Sequence, residues 1–465
     1  MDAETSHDRD GRDPSEEPID LSDVTSSGAS DPNAADRLSG NPDPRYLISD
    51  LGSALEQEVQ ISGIVQSLRG FKNHSFLVVR DRSGVVQCVV PKSVYADSEL
   101  PPMGTYIEVH GKVTPSTQAK LGYELLAESV SPLSNAIETP VFQLDRPIEA
   151  ALDFQLDNRA IAIRNRFIQA AFVIQSRVGS VFRSTLEDLG FREVRTPKIV
   201  AGGTEGGAEV FQIDYFGSPA SLAQSPQLYK QIAAAAFERV YEIGPVFRAE
   251  NSHTNRHLTE FTGLDFELAL IRDQHDVMGV QERFVRNLFT ALNELESEEL
   301  ELLGISLPSV GNIPRITWKE AKALVERHGT QQKDSNFDMA VGDAAKREWG
   351  SDFVFVFGYP EEEKPFYIMP SAEAGFTESF DLLYQGLEIS SGGQRVHDYE
   401  QLVARMTERG LRLEDNPGYL QAYKFGMPPH GGAGLGLERI TQRLAGLANV
   451  RQVSLCPRDV KRVLP

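Results

Sequence analysis

Two runs near the middle of the chain, VYEIGPVFRAE (240–250) and FTGLDFELAL (261–270), have the apolar spacing and the β-branched and aromatic content of strands. Neighbours in sequence, they pair as a hairpin, so the polar stretch 251–260 between them is a loop pinned at both ends. The loop and its roots carry Arg248, Glu250, Arg256 and His257. Two residues apart on a strand, Arg248 and Glu250 point to the same face. In that position Arg248 suits bidentate contact with a phosphate, Glu250 an exocyclic amine, and Phe261 the flat face of a purine. Taken alone, the same Arg–Glu pair reads more simply as a cross-strand salt bridge at the surface.

The chain has 465 residues, enough for two or three domains, each with a core. Residues 1–44 are rich in Asp, Glu, Ser, Pro and Gly and contain no aromatic residue. Such a segment buries too little apolar area to offset its ordering entropy, and a disordered acidic tail is expected there. The formal charge of −21 argues against indiscriminate binding to polyanions, so DNA is not an expected partner and any nucleic acid must meet local positive patches. No run approaches the length of apolar residues that spans a bilayer, and the N-terminus is polar. A cytoplasmic protein without a membrane partner is expected. Cys88 and Cys456, far apart and without metal-ligand spacing, read as structural thiols.

Residues 45–135 contain five short strand-like runs, from VQISGIVQSL to GYELLAESVSPL, punctuated by Gly, Asp and Pro. That pattern predicts a small Greek-key barrel of the OB-fold type, which commonly binds single-stranded nucleic acid on one face. Phe76 and Gln87 suit a base, by stacking and by edge hydrogen bonds, although an aromatic at a strand start is more often a core residue. Residues 136–160, rich in Pro and Asp, read as a linker or hinge. From 161 to 465 helical and strand-like segments alternate, which predicts an α+β domain with an insertion at about 275–350. Its first helix is expected to stop at Gly190.

The usual nucleotide signatures fail: there is no GxxxxGK[ST], and GGAGLGLER (431–439) fits GxGxxG in no register. GLGLERITQRLAGL instead reads as a glycine-rich turn entering a helix, with Arg439 near the helix's positive end where a polyphosphate is favoured. GFREVRTPKIV (190–200) ends a helix, crosses into a strand and sets Pro197 at a sheet edge. In AQSPQLYKQ (223–231), Ser225 suits a helix N-cap and Pro226 the first turn, which puts Gln227 and Lys230 on one helix face. The segment 380–398 supplies Asp381, Glu388, Ser391 and Arg395 around glycine turns. Lys230 with Arg395 makes a site for a small buried carboxylate, and Asp381 with Glu388 offers hard oxygen ligands for magnesium.

Three of these segments, in this order, resemble motifs 1, 2 and 3 of the class II aminoacyl-tRNA synthetases. Motif 1 is matched by Gly190, Phe191, Val194 and Pro197, motif 2 by Phe247 to Glu250, and motif 3 by Gly432 to Arg439. The stretches TEGGAEVF, QSPQLYKQ, RHLTEF, GLEISSGGQRVHD and RDVKRVLP narrow the resemblance to the archaeal and eukaryotic cytosolic aspartyl-tRNA synthetases, over about residues 50–465. The fold implied is an N-terminal OB-fold barrel followed by the class II antiparallel sheet flanked by helices. The activity implied is activation of L-aspartate with ATP and Mg2+, then transfer to the 3′ end of tRNA(Asp). Ile64 follows Gly63 where many archaeal relatives have tryptophan, so charging of tRNA(Asn) stays open. A homodimer is implied through motif 1.

Carried over residue by residue, the resemblance assigns Glu205 and Gln227 to the α-amino group and Lys230 and Arg395 to the β-carboxylate of aspartate. Arg248 takes the α-phosphate, Glu250 the adenine amine, Phe261 the adenine face, and His257 with Arg439 the γ-phosphate. Arg248, Arg439 and Glu388 form the catalytic set, and Glu388, Ser391 and Asp381 organise magnesium. Ser252 and Thr254 meet the tRNA acceptor end, while Phe76, Gln87 and Glu124 read the anticodon. Rejection of asparagine is expected to come from leaving Lys230 and Arg395 unpaired. The rival readings are an activating or amidating paralogue that charges no tRNA, and an inactive nucleic-acid-binding relative.

Overall fold

The computed structural model describes residues 45–95, 99–134, 136–201, 210–251, 254–328 and 337–464. The expected tail at 1–44 and two expected site residues, Glu205 and Ser252, lie outside the described residues. The chain divides into two compact units, Met1–Ala136 and Ile137–Pro465.

In the first unit the five runs form strands β1 (Glu58–Gly70), β2 (His74–Arg80), β3 (Val85–Pro91), β4 (Tyr106–Pro115) and β5 (Tyr123–Pro132). They close into a barrel in the order β1-β2-β3-β5-β4, with β3 and β5 parallel and the other described pairs antiparallel. Alternation decides the inside: Leu77, Val79, Val86, Cys88, Val90, Val109 and Leu125 fill the core. Burial pushes the Cys88 thiol well up, so it stays protonated and inert, as expected of a structural thiol.

The second unit is built on an eight-stranded sheet. Its strands are β6 (Arg192–Glu193), β10 (Arg239–Phe247), β11 (Glu260–Ala269), β12 (Arg315–Thr317), β13 (Phe353–Phe357), β14 (Ser379–Tyr384), β15 (Leu387–Gln394) and β16 (His430–Gly436). The intervening β7 (Ile199–Val200), β8 (Gln212–Tyr215) and β9 (Ser218–Leu222) make a separate small sheet. The large sheet runs β12-β13-β14-β15-β16-β11-β10-β6, antiparallel through its centre, with parallel pairs only at its two edges. The helices of eight or more residues are α1 (Arg166–Asp188), α2 (Gln227–Phe237), α3 (Gln274–Leu295), α4 (Trp318–Arg327), α5 (Phe337–Trp349), α6 (Tyr399–Glu408), α7 (Pro417–Lys424) and α8 (Leu437–Leu444). Residues 275–350 thus supply α3 of the main core, the edge strand β12, and α4 and α5 packed over β13. Within the stretch expected as a linker, Leu152–Asp157 and Arg159–Ala162 are helical.

The sheet has two chemically different faces. Leu264, Phe266 and Leu268 of β11, Tyr241 of β10 and Leu435 of β16 pack against Val178 and Phe182 of α1 and Phe284 and Leu288 of α3. The alternate positions hold Glu242, Asp265, Glu267, Asp381, Ser391, Gly432 and Gly434. A half-apolar, half-polar sheet of this kind buries one side under helices and leaves the other for chemistry.

Two glycines have separable jobs. Gly190 follows α1 at φ +82°, with its N–H donating to Glu187 O and that of Phe191 donating to Leu186 O at 2.9 Å each. This is the Schellman ending expected from the sequence. Gly432 is needed for space, since a Cβ there would meet a carboxylate oxygen of Glu267 at 2.1 Å and Phe266 O at 2.2 Å. Gly190→Ala, where nothing lies within 4 Å of the added Cβ, is expected to cost about 1 kcal/mol through backbone conformation alone. Gly432→Ala is expected to cost about 3 kcal/mol by overpacking. Urea midpoints measure both, and equal costs would contradict this division.

Candidate active site

The polar face of the sheet opens into a cavity of about 290 Å³, lined by Gln227 and Lys230 of α2, Arg248, Glu250 and His257 of the hairpin loop, and Phe261 and Asp265 of β11. Glu388, Ser391 and Arg395 come from β15 and the residue after it, and Arg439 from α8. Nearly every expected active-site residue among those described therefore meets in one cavity. Asp381 and Thr254 are outside its lining.

At its floor lies a closed ion network. Lys230 Nζ is 2.9 Å from Asp265 Oδ1 and 3.6 Å from Glu267 Oε2, and it donates to Ala433 O at 3.2 Å. Arg395 donates from Nε to Glu267 Oε1 at 2.8 Å, and from Nη2 to Glu267 Oε2 at 3.2 Å and Gly432 O at 2.8 Å. Glu267 has no solvent exposure, and Lys230 and Arg395 are each 2 % exposed. Burial opposes ionisation of Glu267, but Arg395 and then Lys230 outweigh it and hold its carboxyl below the usual range. Burial likewise disfavours the Arg395 cation, and Glu267 more than restores it.

This network corrects the expected basis for excluding asparagine. Lys230 and Arg395 converge as predicted, but each already has a carboxylate partner, so a neutral ligand would not strand a bare cation. Asp265 and Glu267 were missed, although the alternation of FTGLDFELAL, with Leu264, Phe266 and Leu268 on one side, sets both acids together on the other.

The half of the cavity lined by the hairpin loop is looser. β10 ends at Phe247, so Arg248 and Glu250 are not on a strand as expected; one further bond, Arg248 N–H to Thr259 O at 2.9 Å, extends the ladder into the loop. The two side chains still face together, with Nη1 and Oε1 3.9 Å apart, and the Arg248 guanidinium lies 5.5 Å from the centre of the Phe261 ring. Both ends of the ion pair are partly exposed, which makes it weak and displaceable by a ligand. Ser225 is buried on the cavity wall and does not cap α2, whose N-cap residue is Pro226. Thr254 Oγ1 is 2.6 Å from His257 Nδ1, and burial, followed by nearby guanidiniums against the pull of Glu250, lowers the His257 pKa. Glu438, not foreseen, accepts from Thr262 N–H at 3.0 Å and ties α8 to β11.

Asp381 is held by Lys364 Nζ at 3.0 Å from each carboxylate oxygen, behind the cavity wall. Glu388 keeps 39 % side-chain exposure toward the cavity and lies 3.7 Å from Arg439. Loss of solvent around its carboxyl, reinforced by Asp381 and Asp338, raises the Glu388 pKa against the pull of Arg439 and Lys364. Among the described residues no three His, Cys, Asp or Glu side chains are grouped to hold a metal ion unaided.

On the barrel, Phe76 faces outward, which overturns the simpler core reading. Its ring meets His74 edge-on at 4.9 Å and Phe71 at 5.3 Å, and Phe71 stacks on His74 at 5.2 Å. Gln87 donates from Nε2 to Glu124 Oε2 at 3.1 Å on the same outer face. Phe71, 54 % exposed, was missed because it falls in the turn before β2.

Residues 151–460 match the family model of class II tRNA synthetases (D, K and N), and residues 59–133 match that of the OB-fold nucleic acid binding domain. The chain is 41 % identical to an aspartate–tRNA(Asp/Asn) ligase of Thermus thermophilus over 90 % of its own length and all of that protein. It is 39 % identical to an aspartate–tRNA(Asp) ligase of Thermoplasma volcanium, over 91 % of this chain and all of the relative. The chain belongs to the aspartate–tRNA ligases of the class II tRNA synthetase family. Among solved structures, an asparaginyl-tRNA synthetase from Pyrococcus horikoshii complexed with asparaginyl-adenylate superposes with a TM-score of 0.82 at 30 % identity, covering 90 % of this chain and 99 % of that one. Fold alone thus does not separate the aspartate from the asparagine enzymes, and amino-acid choice in the synthetase must lie in particular side chains. Among the described residues no helix is long and apolar enough to cross a membrane.

His430, at the start of β16, donates from Nδ1 to Pro428 O at 2.9 Å, and its Nε2 is buried with no hydrogen-bond partner among the described residues. Burial lowers its pKa to about 4, partly opposed by Glu267. The folded state refuses a proton that the unfolded chain accepts below about pH 6.5, so this stabilisation is full above that value and lost as pH falls toward 4, by about 3 kcal/mol. In His430→Asn, urea unfolding measured across pH 4 to 6.5 is expected to take up nearly one proton fewer. An unchanged slope would contradict the assignment.

Proposed function

We propose that this chain activates L-aspartate with ATP to aspartyl-adenylate and transfers it to the 3′ end of tRNA(Asp). The observation that carries the reading is the convergence of Lys230 and Arg395, oriented from behind by Glu267, at the floor of a cavity whose rim holds Arg248, Phe261 and Arg439. The β-carboxylate binds to the donors of Lys230 and Arg395 that face the cavity. Gln227 and Glu205 take the α-amino group, with Asp265 close beside Lys230. Asparagine would turn an amide NH2 toward those same N–H donors, and a site built for one hydrogen-bonding pattern rejects the wrong one by a factor on the order of 10⁴.

Arg248 grips the α-phosphate, Phe261 stacks on adenine, Glu250 accepts from its amine, and His257 and Arg439 reach the γ-phosphate. An α-carboxylate oxygen of aspartate attacks the α-phosphorus in line and the bond to the pyrophosphate oxygen breaks; a ribose hydroxyl of the tRNA then attacks the acyl carbon, the acyl–oxygen bond to AMP breaks, and the hydroxyl proton leaves with the AMP phosphate. Orientation and cationic stabilisation of the phosphoryl group suffice, with no dedicated general base. Magnesium fits the remaining donors: Glu388 and Ser391 offer hard oxygens to the cavity, with Asp381 behind them through Lys364, an incomplete set of the kind the ion completes with substrate phosphates and water. Bound there, it would neutralise phosphate charge and shield Glu388 from Asp381 and Asp338. Phe76, Gln87 and Glu124 read the anticodon, and Ser252 and Thr254 meet the acceptor end. A cytoplasmic homodimer joined through motif 1 completes the reading.

Aspartate-dependent exchange of pyrophosphate into ATP, followed by charging of separate tRNA(Asp) and tRNA(Asn) transcripts, tests the proposal. Both steps are expected with tRNA(Asp), and exchange without charging of either transcript would favour an activating paralogue. Arg248→Ala is expected to lower kcat/KM for exchange by roughly 10² to 10³, and near wild-type exchange would remove Arg248 from the phosphate. Lys230→Leu should abolish aspartate activation and, by stranding Asp265, cost about 3 kcal/mol of stability.

A further inference from the structure

Arg159 touches none of the residues assigned above to substrate, yet it is 4 % exposed. It donates from Nε to Leu455 O at 2.8 Å, and from Nη2 to Ser454 O at 2.7 Å and Gln452 O at 3.1 Å. Gln175 of α1 donates to the remaining carbonyl of that stretch, Val453 O, at 2.8 Å. Four successive carbonyls, 452 to 455, are thereby fixed from the side. A buried ion pair between Arg451 and Asp459, 2.6 Å apart, closes the same stretch on itself.

That fixed stretch and its flanks hold the hairpin loop at two points. At the root, Thr259 N–H donates to Arg458 O at 2.9 Å, and Glu260 and Arg458 form a bridge. Further along the loop, Val450 N–H donates to Asn255 O at 2.9 Å, and Asn255 Nδ2 donates to Ala448 O at 3.2 Å. Thr259 O in turn accepts the Arg248 N–H, so the residue clamped by the C-terminal stretch is the one that fixes the Arg248 backbone. The floor of the cavity is supported differently, by α2, β11 and β15.

We propose that Arg159 is a positioning residue for the nucleotide: it immobilises residues 452–455, whose flanks at Ala448, Val450 and Arg458 hold Asn255 and Thr259 and so present Arg248 and His257 to the phosphates. This rests on reading the hairpin loop as the ATP grip. Losing the clamp should weaken ATP and spare aspartate, because Lys230 and Arg395 do not depend on it. A merely structural role would lower the active fraction and leave both KM values alone.

The test is pyrophosphate exchange with ATP and aspartate varied separately, on the full chain, for Arg159→Ala, Arg159→Lys and Asn255→Ala. For Arg159→Ala the KM for ATP is expected to rise roughly tenfold, with the KM for aspartate within about twofold of wild type. Lysine keeps the charge but not the fork that reaches three carbonyls, so Arg159→Lys should not restore the ATP KM. A fall in kcat with both KM values unchanged would overturn the proposal. Should Arg159→Ala fail to fold, Asn255→Ala, at an exposed position, decides: an ATP KM raised about threefold supports the clamp, and a wild-type value overturns it. Absence of aspartate-dependent exchange in the wild-type protein would instead remove the reading of the loop on which the proposal rests.

Discussion

A carboxylate with no access to solvent, that of Glu267, lies between a lysine and an arginine from distant parts of the chain. Isolated, any one of these three charges would be too costly to bury; together with Asp265 they form a neutral quartet whose members orient each other. Lys230 comes from α2, Arg395 from the end of β15 and the two acids from β11. The quartet therefore forms only when the central strands and α2 are in register. Its geometry is a report on the whole second unit.

The glycines of β16 follow from this. Next to β11, a strand with ordinary side chains would collide with Glu267, and Gly432 and Gly434 leave the room that the two acids occupy. Ala433 and Leu435, which alternate with them, face the helices and complete the apolar core. The same strand thus supplies core on one side and absence on the other, and Gly432 O and Ala433 O serve as acceptors for Arg395 and Lys230. What reads in sequence as a glycine-rich turn entering a helix is for most of its length a strand making space, and Gly434 to Gly436 line the cavity together with Glu438 and Arg439 of α8.

Much of this was legible before the structure, for reasons that differ residue by residue. The barrel strands were readable from alternation, and Gly190 from helix-ending chemistry. Helix spacing joined Gln227 to Lys230 and the needs of a buried carboxylate suggested Arg395 as its partner, whereas their meeting with Arg439 came from the resemblance, since no local pattern ties residues so far apart. Asp265 and Glu267 were readable in principle from period-two alternation, yet a charged residue in a strand is ordinarily given to solvent. Ser225 misled because its type suits a cap, whereas the backbone starts α2 one residue later than that role requires. Arg248 and Glu250 came out on one side although the strand ends before them, because Thr259 O and the Phe261 ring hold Arg248 in line. The work of Arg159 was not legible, since its partners are backbone carbonyls some 290 residues away and carry no side-chain signature.

The central claim is that the floor of the cavity reads the charge and hydrogen-bonding pattern at the tip of a small amino acid once a nucleotide is in place. Titration calorimetry of the intact protein, saturated with a non-hydrolysable ATP analogue and magnesium, compares L-aspartate with L-asparagine directly. Saturable uptake of L-aspartate is expected and, for L-asparagine, affinity lower by at least about two orders of magnitude. Equal affinity for the two, or no uptake of L-aspartate, would contradict it.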